Sequence, residues 1–248
     1  MMIRILTLTA FFALSLMPAI GQTKAEADSA YQQKDYARAA QIYEHILTHG
    51  EDAFVYYNLG NCYYRMHDMA HAVLNYERAL LREPSNSDIR FNLALARSKT
   101  QDKMADTDQF FIFYWVRSLI NAHNTDGWAR GAVLSFGLLL VVAFLRLFFR
   151  QRYIQLLAPY VGAALLVMVI LFNVFAYVQH GEYLDKTHAI VMKTTDVRST
   201  PDTSGTTVFA LHPGTKVKII DDTMGRWKQI RLSDGKQGWI IKDDIELI

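Results

Sequence analysis

The chain has 248 residues, 51% hydrophobic and 20% charged, with a net charge of +2. So small a charge supplies no basic face or stripe, which argues against a nucleic-acid partner. Cys62 is the sole cysteine, which excludes an intrachain disulfide and a cysteine-based zinc site. At the N-terminus, Arg4 precedes an apolar run over residues 5–17, followed by Pro18, Ala19 and Gly21. This charged, apolar, small-residue order predicts a secretory signal over residues 1–21, cleaved after Gly21; an uncleaved anchor is the alternative. Either way, Arg4 stays inside and the chain that follows is exported.

Residues 22–103 have helical spacing and an internal period. From Ala53, the residues Tyr56, Leu59, Gly60, Tyr63, Ala72, Tyr76, Ala79 and Pro84 fall on the eight positions of a tetratricopeptide repeat. Gly60 and Ala72 are small because two helices cross there, the tyrosines and Leu59 fill the space between helices, and Pro84 ends the second helix. An earlier unit is in phase: Ala27, Tyr31, Asp35, Tyr36, Ala39, Tyr43 and Leu47 anticipate Gly60, Tyr64, Asp68, Met69, Ala72, Tyr76 and Leu80. A half unit over residues 88–103 continues the pattern with Phe91, Leu93 and Ala94. Its polar end (Arg97, Lys99, Gln101, Asp102) predicts a wettable capping helix. First helices line the concave face of such a stack, which places Tyr31, Tyr57, Asn58, Asn61, Tyr64, Arg65 and Asn92 in a partner-binding groove. Tyrosine and asparagine there suit an extended peptide; gap filling between helices is the alternative for Tyr31 and Tyr64. Lys24 stands at one position of a carboxylate clamp, but Asp28 stands where an asparagine is wanted.

Residues 104–130 form a linker whose segment 109–120, QFFIFYWVRSLI, is too short to span a membrane and is rich in aromatics. It predicts a helix in the outer interface, with Trp115 and Trp128 at headgroup level; docking on the repeats is the alternative. Residues 131–149 and 156–178 are each close to the ~20 apolar residues that cross a bilayer. Roughly 13 Leu, Ile, Val or Phe apiece contribute about 4 to 8 kcal/mol to insertion, against ~3 for Arg146. The connection (150–155), with Arg146, Arg150 and Arg152, carries no acid, whereas Glu182 and Asp185 follow the second span. That asymmetry puts the connection in the cytoplasm and both ends outside the inner membrane. Ala158 with Gly162, and Gly131 with Ser135, predict a packed hairpin; Asn173 is expected to hydrogen-bond across it.

After residue 186, short β-branched runs (188–192, 206–211, 216–221, 227–232 and 238–241) alternate with turns at Pro213-Gly214, Met224-Gly225 and Asp234-Gly235. Val197, Arg198, Pro201, Gly214, Val217, Trp227, Ile230, Gly235, Gly238 and Trp239 make residues 186–248 resemble a bacterial SH3 domain. That resemblance implies a small barrel and a peptide or cell-wall ligand. Trp227 and Trp239 are the candidate ligand surface, with core packing the preferred role. The fold class expected is thus multidomain: an α-helical tetratricopeptide solenoid, a transmembrane helical hairpin and a small all-β SH3-like barrel.

Catalytic signatures do not emerge. His45 and His49, and His67 and His71, have metal-ligand spacing without a third ligand, and are read as solvent-facing. There is no glycine-rich phosphate loop, nucleophile elbow or Cys/His pair in a nucleophile context. The expectation is a non-enzyme without cofactor or metal. The GNCYY run at Gly60, FNLALAR at Phe91, Trp128-Ala129 and GWI at Gly238 together resemble BatE-type proteins of the Bacteroides aerotolerance operon. The resemblance implies von Willebrand factor A-type membrane proteins and a MoxR-type ATPase as partners, and a role in oxidative-stress tolerance or envelope integrity. The expected function is an inner-membrane scaffold binding a partner through its repeat groove; a peptidoglycan sensor acting through the C-terminal domain is the alternative.

Overall fold

Aspartates set the starts of successive helices. Asp35, Asp52 and Asp68 each accept a hydrogen bond from the backbone N–H three residues on, at 3.1 Å, satisfying a donor that the first helical turn leaves open. In the computed structural model, which describes residues 18–103 and 111–248, the helices so begun are α2 (Tyr36–Leu47), α3 (Ala53–Arg65) and α4 (Met69–Arg82). They are preceded by α1 (Pro18–Gln32) and followed by α5 (Ser87–Ser98). The signal reading lies outside the described residues except for its last four, which open α1. Lys34 and His67, 33 residues apart, both have φ 63° and turn the chain between helices in the same way. The repeat is therefore present in the backbone as well as in the side chains.

Close helix crossing explains the small residues. A Cβ on Gly60 would lie 2.7 Å from two ring carbons of Tyr76, and Ala72 and Ala79 are fully buried. Tyr43, Tyr76, Val55 and Leu74 fill the spaces between. Among the described residues, one compact unit comprises residues 18–80, 87–103 and 187–248; the other comprises residues 81–86 and 111–186.

The first unit includes seven strands: β1 (His188–Val191), β2 (Thr195–Arg198), β3 (Thr207–Leu211), β4 (Lys216–Asp221), β5 (Trp227–Arg231), β6 (Gln237–Ile241) and β7 (Ile245–Leu247). They form one antiparallel sheet in the order β3-β2-β6-β5-β4-β1-β7. Ala189, Val191, Val197, Val217, Ile230 and Ile240 make its core. Strand residues alternate between faces, so Ile190 points the other way. It joins Ala72, Val73, Leu74 and Tyr76 of α4 and Leu93 and Ala96 of α5 in a single apolar cluster. The β-domain thus packs on the apolar surface of α4 and α5.

The polar end of α5 is consequently not a free cap. Asp102 Oδ2 accepts from the His212 backbone N–H at 2.8 Å and from Thr215 Oγ1 at 2.7 Å, and Oδ1 lies 2.8 Å from His212 Nδ1. Glu77, 4% exposed, accepts from Arg97 and, at 2.9 Å, from Lys216. Gly214, at φ +92°, sits where a Cβ would meet Thr100 Cγ2 at 2.5 Å.

The second unit holds α6 (Phe111–Ile120), α7 (Thr125–Phe148) and α8 (Arg152–Leu184). α7 and α8 are long and apolar enough to cross a membrane; at 1.5 Å per residue they run about 36 and 50 Å, against ~30 Å of hydrocarbon. They pack through the small residues: a Cβ on Gly131 would meet Phe172 at 3.0 Å, and Ser135 and Ala158 are buried. Asn173 departs from expectation, donating to the Val169 carbonyl of its own helix at 2.8 Å. Gln179 takes the inter-element role, donating to the carbonyls of Ile120 (3.0 Å) and His123 (2.6 Å). Trp128 is 8% exposed, packed against Phe172 and Phe175 with its Nε1 donating to Ile120 O at 2.8 Å. The Trp128 ring is thus enclosed between helices, whereas Trp115 is 65% exposed.

Candidate functional site

Helix geometry divides α3 into two working sides. Tyr56, Leu59 and Tyr63 form one stripe; Tyr57, Asn61 and Tyr64 form another, spaced by three and four residues. On the second stripe the structure brings together four of the seven expected groove residues. Asn92 Nδ2, from α5, donates to Tyr57 Oη at 2.9 Å and to Asn61 Oδ1 at 3.0 Å. Asn61 Oδ1 also accepts from Tyr76 Oη at 2.7 Å, and Asn61 Nδ2 reaches Asn58 Oδ1 at 3.4 Å. Arg65, at the end of α3, pairs separately with Tyr31 of α1: hydrogen bonding to Tyr31 raises the Arg65 guanidinium above its ordinary value. The ring of Tyr64 carries Lys99 Nζ 4.5 Å from its centroid.

These contacts fix the asparagines and tyrosines before any ligand arrives, and preorganisation lowers the entropy cost of binding. With these bonds made, one Asn61 N–H and the Asn92 side-chain oxygen are left over, a donor and an acceptor of the kind a peptide backbone pairs with. Lys24 and Asp28 are engaged elsewhere, with Asp52 at 2.9 Å and with Tyr43 respectively, so neither is arranged as a carboxylate clamp.

On the sheet, Trp227 is 9% exposed and Trp239 half-buried. Trp239 is the cross-strand neighbour of Arg198 and of Gln229. A bacterial SH3 domain model matches residues 193–246, and a tetratricopeptide repeat model matches residues 53–86. No curated protein matches the sequence significantly. Among solved structures, PcrH in complex with the chaperone-binding region of PopD is similar at 18% identity, covering 61% of this chain and 92% of that one, with a TM-score of 0.31. PcrH from Pseudomonas aeruginosa alone is 14% identical, with coverages of 63% and 93% and a TM-score of 0.31. The Yersinia enterocolitica chaperone SycD with a peptide of the translocator YopD is also 14% identical, with the same coverages and a TM-score of 0.30. Scores this low carry no argument about fold or ligand.

Two features of the tetratricopeptide helices escaped the sequence reading. Glu77 is an acid at the end of the buried run 72–77, next to the apolar positions of the repeat, and that placement was the available signal for a buried ion pair. His71, read as solvent-facing, is half-buried, stacked on Tyr63 with centroids 4.7 Å apart and paired to Asp68 at 2.7 Å. The bond to Asp68 raises the imidazole above its ordinary value against the opposing effect of burial. Burial pushes the Cys62 thiol up to about 12, which suits packing and not nucleophilic chemistry. Among the described residues no group of three His, Cys, Asp or Glu could hold a metal ion.

Proposed function

We propose that this chain is a non-enzymatic, membrane-anchored adaptor whose first-helix face binds an extended segment of a partner protein. The observation that carries the reading is the network joining Tyr57, Asn61 and Asn92 across α3 and α5. That network holds the first-helix residues in place, while the SH3 domain is docked through other residues: Ile190, Lys216, Glu246 and the partners of Asp102.

The anchor is the α7–α8 hairpin. Tyr153 and Tyr177, each 80% exposed, lie near opposite ends of α8, about 36 Å apart at helical rise, which suits aromatic belts at two interfaces. α6 presents Phe111, Ile112, Phe113 and Trp115 exposed, as a helix lying in the outer interface would. The arginines of the connection support a topology with the connection in the cytoplasm and both soluble domains on the periplasmic face. The BatE resemblance supplies the context: von Willebrand factor A-type membrane proteins, a MoxR-type ATPase, and oxidative-stress or envelope protection.

The test is capture of partners from membranes by the intact protein and by the combined variant Tyr57→Ala, Asn61→Ala, Tyr64→Ala, with helical content checked by circular dichroism. The adaptor reading expects a folded variant that loses its partner; a folded variant that keeps every partner removes it. Trp239, half-buried beside Arg198, favours a second reading in which the SH3 domain binds peptidoglycan. Sedimentation of the protein with purified sacculi, abolished by Trp239→Ala, would select it.

A further inference from the structure

The first-helix face carries charge as well as amides. Arg65 ends α3, and Lys99 lies one residue past α5, 34 residues further on, which is one period of a tetratricopeptide repeat. The two cations therefore occupy the same position in successive units. Both are exposed, and among the described residues neither pairs with an acid. Other cations of the repeats are matched: Lys24 by Asp52, Arg38 by Glu26 and Arg97 by Glu77.

A cation at a helix C-terminus is favoured by the dipole alone, which would let both side chains extend into water. Instead each is laid against a tyrosine of this face. Lys99 Nζ stands 4.5 Å from the Tyr64 ring centroid, and the Arg65 guanidinium is bonded to Tyr31 and lies within electrostatic reach of Tyr64. The acid of the first unit does not offset them: Asp28, one unit before Asn61, is bonded to Tyr43, which is itself 1% exposed. The Asn61 N–H left over from the network is a further donor on the same stripe. The face is thus unbalanced toward positive charge.

We propose that the partner segment taken by this face is acidic, with side-chain carboxylates that pair with Arg65 and Lys99 while its backbone runs past Asn61 and Asn92. This inference rests on the adaptor reading and specifies the partner. A carboxylate complements both cations, meeting the guanidinium as a fork and the ammonium as a point charge. Exposed pairs of this kind steer encounter and fix register more than they add affinity, so the readout is selection between segments.

The test uses the full chain in micelles of a neutral detergent and three dye-labelled decapeptides, (Glu-Ala)5, (Gln-Ala)5 and (Lys-Ala)5, followed by fluorescence anisotropy. Amidation removes their terminal carboxylate, and the alternation puts every longer side chain on one face of an extended chain. The glutamate peptide is expected to bind saturably and about tenfold tighter than the glutamine peptide, with the lysine peptide weakest. Arg65→Gln combined with Lys99→Gln should bring the glutamate and glutamine peptides together, with circular dichroism to check that these exposed substitutions leave the helices intact. Arg226→Gln combined with Lys242→Gln, which removes the same charge from exposed positions of the SH3 domain, should leave the preference in place. The proposal is overturned if the glutamate and glutamine peptides bind alike, if the first pair of substitutions keeps the preference, or if the second pair removes it. Binding of the neutral or basic peptide in preference, lost in the combined Tyr57→Ala, Asn61→Ala, Tyr64→Ala variant, discards the acidic partner and keeps the adaptor. Absence of binding by all three peptides also overturns the acidic partner, and the adaptor reading falls with it only if Asn58 yields no photo-crosslinked adduct in cells.

Discussion

Replacing Glu77 by Gln tests whether the SH3 domain is held to the repeats by a buried charge. The carboxylate is 4% exposed and bonded to both Arg97 and Lys216. Removing one member of a buried pair costs about 3–5 kcal/mol, because the other is left uncompensated. Here the remaining cations have side chains 42% and 35% exposed and can turn to water, which brings the expected loss to about 2–3 kcal/mol. Burial alone would raise the Glu77 carboxyl, but Lys216 and Arg97 outweigh it and hold it below the ordinary glutamate value. A group depressed in the folded state stabilises above its unfolded value and loses that contribution as pH falls through the folded one. Urea unfolding of the full chain in micelles, at pH 7 and below pH 4, should therefore show wild type losing more stability in acid than Glu77→Gln does. Adding Lys216→Met completes a double-mutant cycle with an expected coupling of about 1–3 kcal/mol. Additive effects, or a Glu77→Gln cost under about 0.5 kcal/mol, would refute the reasoning.

Gly60→Ala places a methyl 2.7 Å from the Tyr76 ring, itself 1% exposed. Overpacking of about 1–3 kcal/mol is set against ~1 kcal/mol of helix propensity, so thermal unfolding should show a net loss. His71 is raised by Asp68, so its contribution is present below the unfolded histidine value near 6.5 and fades as pH rises through the folded one. With both side chains about 40% exposed the effect is under about 1 kcal/mol, and His71→Asn should abolish that fall in a pH series of melting curves. A reporter enzyme fused at Arg152 is expected to read as cytoplasmic; a periplasmic reading would overturn the orientation.

Much of this architecture was legible because it rests on periodic burial. The tetratricopeptide helices announce themselves through small and aromatic residues at fixed spacing, and the two long helices through unbroken apolar runs. The missed strands lack such a pattern. β2 buries only Val197 among polar neighbours, and β7 has three residues, so neither offers an alternation to detect. The run His188–Val191 is buried at three of its four positions because one face meets the SH3 core and the other the repeats, a distinction that hydrophobicity does not encode. Polar residues misled most. Asp102 and Arg97 read as a wettable cap because their partners, His212, Thr215 and Glu77, include residues over a hundred positions away. Asn173 bonds within its own helix, while Gln179 bonds to backbone carbonyls whose proximity only the fold supplies. The groove asparagines lay on a readable stripe; that Asn92 bridges Tyr57 and Asn61 did not.

The adaptor account is tested most directly by a photo-crosslinking amino acid placed in turn at Asn58, Arg65 and Gln41 of the full chain in living cells. Asn58 and Arg65 lie on the first-helix face, and Gln41 is exposed on a second helix. The account predicts one discrete protein adduct from the first two positions and none from Gln41. Equal capture at Gln41, or no adduct from either groove position, would contradict it.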